Sequence, residues 1–301
     1  MRNLLIICFY LCCATSIAQL PQVASGSIIR WENLGNETIG TRNVDIWLPE
    51  EYSPKKKYSV LYMHDGQMLF DSTHTWNKQE WMVDETMGRL IREGKIRQTI
   101  VVGIWNRGEF RSQDYFPEKA LANMDTALRR ALIVKDLQGK ALADEYLRFI
   151  VYTLKPKIDS AFPTRSERSN TFIAGSSMGG LISLYAYCEY PTVFGGAACI
   201  STHWPGSRAV QDPAIARAII MYVKDNIPSP TRRKMYFDHG DQGLDSRYGE
   251  WQVLVDQIFV AKGYKGKRWN TKIYPGTDHN ERAWQQRFDQ IVIALMGRKG
   301  K

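Results

Sequence analysis

Cysteine is nearly absent from this chain where a fold could use it. Of the five in 301 residues, Cys8, Cys12 and Cys13 crowd the N-terminus, which leaves Cys188 and Cys199. Two cysteines cannot form a disulfide framework, so the fold must rest on a hydrophobic core. Both are expected as buried thiols, with one bridge between them as the alternative. No apolar run beyond the N-terminus is long enough to span a bilayer. His-x-x-x-His and Cys-x-x-Cys pairs are missing from the rest of the chain, as are phosphate-loop and dinucleotide fingerprints. Neither a metal nor a nucleotide cofactor is therefore expected. Internal repeats and low-complexity tracts are lacking too.

What is present is ample for a core: 44% of residues are apolar and 12% aromatic. The first residues, Met-Arg-Asn, lead into the apolar run Leu4 to Cys13 and then Ala14-Thr-Ser-Ile-Ala18. This is the pattern of a secretory signal peptide over residues 1–18, cleaved after Ala18, and implies a secreted or periplasmic protein. Residues 19–26 are read as a linker, 27–297 as one domain and 298–301 as a basic tail. The formal charge of +9 is dispersed apart from Lys55-Lys-Lys57, Arg232-Arg-Lys234 and the tail. Dispersed charge of this kind reads as solvated loops, and no nucleic-acid partner is expected.

Apolar strand-like runs occur at Val44 to Leu48, Tyr58 to Met63, Thr99 to Trp105, Thr171 to Ala174, Gly195 to Ile200, Met235 to Phe237 and Lys272 to Tyr274. Helical patterns are found at Trp81 to Glu93, Leu142 to Ser160, Trp251 to Lys262 and Glu281 to Met296. This alternation predicts an α/β fold with a mainly parallel central sheet, helices on both faces, and short antiparallel strands at the start. Ligands in such sheets bind beyond the carboxyl ends of the strands. The connection from Asn106 to Gly139 has no clear pattern and is read equally as a binding loop or a peripheral helical excursion.

The segment Thr171-Phe-Ile-Ala-Gly-Ser-Ser-Met-Gly-Gly180 runs from an apolar strand through Gly-x-Ser-x-Gly into the helical pattern Leu181 to Tyr187. That is the context of a nucleophile elbow centred on Ser177. A serine hydroxyl needs a base and a group that orients the base. Among five histidines, His279 follows the last strand and precedes the last helix, which suits the chain order nucleophile, acid, histidine. His64, His74, His203 and His239 are read as supporting or surface residues. The acid is sought after Met235 to Phe237. Asp245 is preferred because its longer loop reaches toward the histidine, Asp241 is the alternative, and Asp238 is read as structural. Two backbone amides complete the constellation as an oxyanion hole, those of Met178 and of Gln67, the latter in the His64-Asp-Gly-Gln67 turn.

With Leu61-Tyr-Met-His-Asp-Gly-Gln67, Gly175-Ser-Ser-Met-Gly-Gly180, the Gly240 to Asp245 loop and His279 assembled, the chain resembles the putative-esterase branch of the α/β-hydrolases. That branch includes feruloyl and acetylxylan esterases, siderophore esterases, S-formylglutathione hydrolase and mycolyltransferases. The resemblance covers about residues 27 to 297. It implies an α/β-hydrolase fold and a serine esterase that works through an acyl-enzyme. Ser177, His279 and Asp245 would be the catalytic residues, and the substrate a feruloyl or acetyl ester linked to carbohydrate. A siderophore or small-ester esterase and an acyltransferase of the same fold are the alternatives, and a non-catalytic carbohydrate-binding module stands further off. Trp105, Tyr115 and Trp204 are the aromatic residues placed to stack on a sugar or phenolic ring.

Overall fold

The computed structural model describes residues 19–298, so the expected signal peptide and the last three residues of the basic tail lie outside the described residues. Eight strands form one sheet: β1 (Ser27–Asn36), β2 (Gly40–Leu48), β3 (Ser59–His64), β4 (Thr99–Ile104), β5 (Thr171–Ser176), β6 (Gly196–Ile200), β7 (Lys234–Gly240) and β8 (Trp269–Tyr274), in the order β1-β2-β4-β3-β5-β6-β7-β8. β1 and β2 form an antiparallel hairpin, and β2 runs antiparallel to β4. Every later pairing is parallel. This is the mainly parallel sheet that the alternation of elements predicted.

The central strands read as unbroken apolar runs because both of their faces are covered. Along β3, Val60 and Tyr62 enter the core on one side, while Leu61 and Met63 enter the core on the other. Helices Val83–Arg92 and Phe288–Met296 supply the second of these cores. Helices Met178–Glu189, Pro213–Asn226 and Gly249–Ala261, with the run Ala143–Ala161, supply the first.

Strand register decides where the connecting loops meet. Ser176 lies beside Ile200, so β5 and β6 end level, while β7 and β8 end together at Gly240 and Tyr274, two residues past the Asp238 that lies beside Ile200. The loops after β3, β4, β5, β6, β7 and β8 therefore gather at one edge of the sheet.

Three features depart from the sequence-based reading. β1 and helix Pro213–Asn226 are elements it did not identify. The last helix is interrupted, into Glu281–Gln285 and Phe288–Met296. Finally, residues 19–26 are docked to the domain and do not behave as a linker. Asp71 accepts a hydrogen bond from the Gln22 amide (2.8 Å), and Asp84 accepts from the amides of Ala24 (2.7 Å) and Ser25 (3.2 Å). The connection after β4 is a helical excursion containing Arg111–Tyr115 and Thr126–Lys135, and its first residues border the cavity described below. Cys188 and Cys199 are buried free thiols.

Candidate active site

Ser177 follows β5 directly and stands at φ 59°, ψ −123°, a conformation that costs a non-glycine residue about 1–3 kcal/mol. The turn is held from several sides. The Ser177 amide donates to the carbonyl of Ile200 (2.9 Å), and its own carbonyl accepts from Gly180, Leu181 and His203. A Cβ on Gly175 would lie 2.7 Å from the Gly179 carbonyl oxygen, closer than side chains come, whereas one on Gly179 would lie 3.2 Å from Asp65 Oδ2, a tight contact to which that side chain would have to yield. Close packing of the two arms of the turn thus explains the first glycine of Gly-x-Ser-x-Gly.

Ser177, His279, Gln67 and Met178 all border one cavity of about 720 Å³ at the carboxyl edge of the sheet. His279 stands in the loop after β8. Its Nδ1 lies 2.6 Å from Asp245 Oδ1, and its ring is flanked by Trp284 and Tyr248 with centroids at 5.0 and 5.7 Å. Asp245 is buried and fully engaged: Oδ2 accepts from Ser201 Oγ and from the Gly240 amide, each at 2.6 Å. Burial pushes this carboxyl up, but the hydrogen bonds and charge of His279, with those of Ser201 and Gly240, outweigh it and hold the group below the usual carboxylate range.

Asp241 points elsewhere. It is exposed and accepts from Gln242 Nε2 and the Gly276 amide. Asp238 is buried against Arg287, with Oδ1 2.9 Å from Nη2, as its structural reading required. Of the carboxylates after β7, Asp245 is the one in contact with His279.

Met178 and Gln67, the two expected amide donors, both border the Ser177 cavity. Met178 opens a helix, so its N–H has no acceptor within that helix. Gln67 lies within the 3₁₀ turn Gly66–Met68, and its side-chain oxygen accepts from the Asn106 amide (3.1 Å). That turn is braced by Asp65, itself at φ 58°, through a two-pronged ion pair with Arg111 in which both contacts are 2.7 Å. Arg111 Nη2 also donates to the carbonyl of Ser176, next to the elbow. Burial opposes the charge on Asp65, but Arg111 overcomes it and holds the carboxyl below its ordinary range.

Two of the other histidines, His64 and His203, are buried and paired with tyrosines. Burial lowers His64 to about 3, and its Nδ1 is 2.8 Å from Tyr146 Oη. His203 borders the cavity, but burial, with the nearby His279 and Arg208, likewise lowers it to about 3, and its Nδ1 contacts Tyr248 Oη at 2.7 Å.

None of the three aromatic residues expected at the substrate borders the Ser177 cavity. Tyr115 is fully buried beneath the Asp65 turn, its ring tilted against those of His64 and Tyr146. Trp204 is buried beside Phe237, its Nε1 donating to Gln252 (3.2 Å). Trp105 is tied to Asp45 and lines a separate cavity. The tryptophans bordering the Ser177 cavity are Trp76, Trp81 and Trp284.

Ser201 was also missed. At φ 42° on the turn after β6, its hydroxyl donates to Asp245 and accepts from Trp284 Nε1 (2.9 Å) and Arg287 Nη2 (3.0 Å). A serine after a strand carries no sequence signal of such a role.

A parallel sheet with an elbow serine after β5, an acid after β7 and a histidine after β8 defines an α/β-hydrolase. Comparison with known proteins narrows this further. The sequence profile of the family described as "Putative esterase" matches residues 35–295. The chain is 25% identical over 272 residues to YbbA of Bacillus subtilis, covering 88% of this chain and 97% of that protein. It is 26% identical over 270 residues to an endo-1,4-beta-xylanase/feruloyl esterase of Xylanibacter ruminicola, covering 84% of this chain but 29% of that longer protein. Among solved structures, an IroE-like serine hydrolase from Shewanella oneidensis aligns with a TM-score of 0.64 at 20% identity, over 88% of this chain and 79% of that one. A ferulic acid esterase from Anaeromyces mucronatus, solved with ferulic acid, aligns at 0.60 and 17% identity, over 92% and 93%. These structural likenesses are of fold. The chain belongs to the putative-esterase family, a serine-hydrolase branch of the α/β-hydrolases.

Proposed function

We propose that this protein is an exported serine esterase that cleaves carboxylic esters through an acyl-enzyme, with carbohydrate-linked feruloyl or acetyl esters as its substrates. The observation that carries this reading is the 2.6 Å contact of His279 Nδ1 with the buried Asp245, where His279 borders the same cavity as Ser177 on its strained turn. Asp245 fixes the proton on Nδ1, which leaves Nε2 free to accept the Ser177 proton as Oγ adds to the ester carbonyl. The amides of Gln67 and Met178 stabilise the resulting alkoxide. Collapse of this intermediate breaks the carbon–oxygen bond of the ester. The alcohol departs with the proton held on Nε2, and the acyl group stays on Ser177. Water, deprotonated by the same Nε2, then releases the carboxylic acid and restores the serine.

The choice of substrate is supported by the feruloyl esterase activity in the name of the Xylanibacter relative, and export by the N-terminal pattern ending at Ala18. Ser177→Ala is expected to abolish p-nitrophenyl acetate hydrolysis without changing the circular dichroism spectrum. Retained turnover would refute the mechanism. Turnover of methyl ferulate, acetylated xylan and a siderophore trilactone, each measured with and without a sugar acceptor, separates the proposed substrates from a siderophore ester and from acyl transfer.

A further inference from the structure

On the far side of the Gly66–Met68 turn lies a second cavity of about 430 Å³, which shares Gln67, Met68 and Trp76 with the Ser177 cavity. Two indoles dominate it, and they are presented differently. Trp105 is locked: Nε1 donates to Asp45 Oδ2 (2.8 Å), and the Arg30 guanidinium, itself gripped by Asp45 at 2.7 and 2.9 Å, lies 4.6 Å over the ring. Trp76 is 84% exposed, the most exposed of the large apolar side chains among the described residues.

That exposure does not come from a loose loop. Asp71 caps the preceding 3₁₀ turn through the Thr73 amide and hydroxyl (2.9 and 2.6 Å) and also holds the Gln22 amide. Thr75 is buried, and its hydroxyl donates to the Ser72 carbonyl (3.0 Å). A bare indole displayed on a braced turn, at the junction of two cavities, is a surface made for stacking. The rest of the second cavity mixes the apolar residues Pro21, Met68 and Phe70 with the polar residues Gln19, Asp71 and His74. Flat apolar faces beside groups that accept and donate hydrogen bonds match the two faces and the hydroxyl rim of a sugar ring better than a wholly apolar ligand.

We propose that this second cavity is a sugar-binding subsite, in which Trp76 and Trp105 hold a part of the carbohydrate chain away from the ester being cleaved. The proposal rests on the esterase reading of the neighbouring site, and its test keeps the two apart. Xylohexaose and cellohexaose, which carry no ester, are titrated calorimetrically into Ser177→Ala and into Ser177→Ala/Trp76→Ala, with a Trp76→Phe double variant as the conservative control. Binding of either sugar should weaken at least fivefold with Trp76→Ala and recover in part with Trp76→Phe. In parallel, Trp76→Ala in the otherwise native enzyme should raise KM for a feruloylated arabinoxylan oligosaccharide at least fivefold. That rise should be at least fivefold larger than any change in KM for methyl ferulate, which carries no sugar, and an equal rise for both substrates overturns the subsite. Binding of neither sugar, or binding that ignores Trp76, overturns the subsite even if esterase activity is intact. Absence of all esterase activity sinks the catalytic reading, and the titrations still decide the subsite.

Discussion

Replacing Asp245 with asparagine changes one oxygen to an amide group, and the surroundings dictate which way the new side chain must face. The carboxylate accepts three hydrogen bonds, from His279 on Oδ1 and from Ser201 and Gly240 on Oδ2. The Gly240 donor is a backbone amide and cannot turn. Ser201 is also committed to donating, because its oxygen already accepts from Trp284 and Arg287. Facing the new NH₂ toward that pair would leave two buried donors unsatisfied, at about 1–3 kcal/mol each. The carbonyl oxygen therefore stays with Ser201 and Gly240, and the NH₂ faces His279 Nδ1. Nδ1 must then accept, so the imidazole proton moves to Nε2 and the base is lost to Ser177. A wrong-tautomer histidine costs about 10⁴-fold in kcat. Asp245→Asn should therefore lower kcat for p-nitrophenyl acetate at pH 7 by about 10³–10⁴-fold, with KM nearly unchanged and the native near-UV circular dichroism retained. Asp241→Asn should stay within about threefold, because Asp241 is exposed and bonded only to its own loop and the Gly276 amide. An Asp245→Asn enzyme within tenfold of wild type, or a crippled Asp241→Asn, would refute the assignment.

Two further substitutions probe the framework. Ser201→Ala removes a donor from Asp245 and leaves the buried Trp284 N–H without its acceptor, so we expect a stability loss of about 1–3 kcal/mol by urea denaturation. It should also lower kcat by about tenfold, since a hydrogen bond to a charged group is worth about 1.5–3 kcal/mol; unchanged kcat would show that Asp245 is held well enough without it. Asp84 presents the opposite titration sign to Asp245. Burial, then a shared hydrogen bond with Glu85 and the charge of that neighbour, raise it to about 7. The stability it contributes is complete below its unfolded value of about 4 and is lost as pH rises through about 7. The melting temperature of the wild type should therefore fall between pH 5 and pH 8 relative to Asp84→Asn, and parallel curves for the two proteins would count against this.

The sequence yielded the parts of the site that chain order controls. Ser177, Asp245 and His279 each follow a strand of the parallel part of the sheet, and strand ends on one edge bring such loops together whatever fills the rest of the core. It was less informative about aromatic residues, because a tryptophan next to a strand end can face either way. Trp105 and Trp204 both follow strands that end at the site, yet hydrogen bonds to Asp45 and Gln252 draw their indoles away from Ser177. The Asp65–Arg111 pair and the Ser201 hub join residues from separate loops by geometry alone, with no spacing for a pattern to detect. β1 escaped notice because it is an edge strand. Its residues are exposed or only half-buried, and apolar alternation was weak.

The docked segment before β1 has a practical consequence for handling this protein. Cutting the chain back to the first strand would strip the Ala24 and Ser25 amides from Asp84 and the Gln22 amide from Asp71. Both carboxylates lie beneath that segment, and Asp71 also caps the turn that displays Trp76. A cut at Ser27 would thus disturb a surface well removed from it along the chain, whereas one just before Gln19 keeps every one of these bonds.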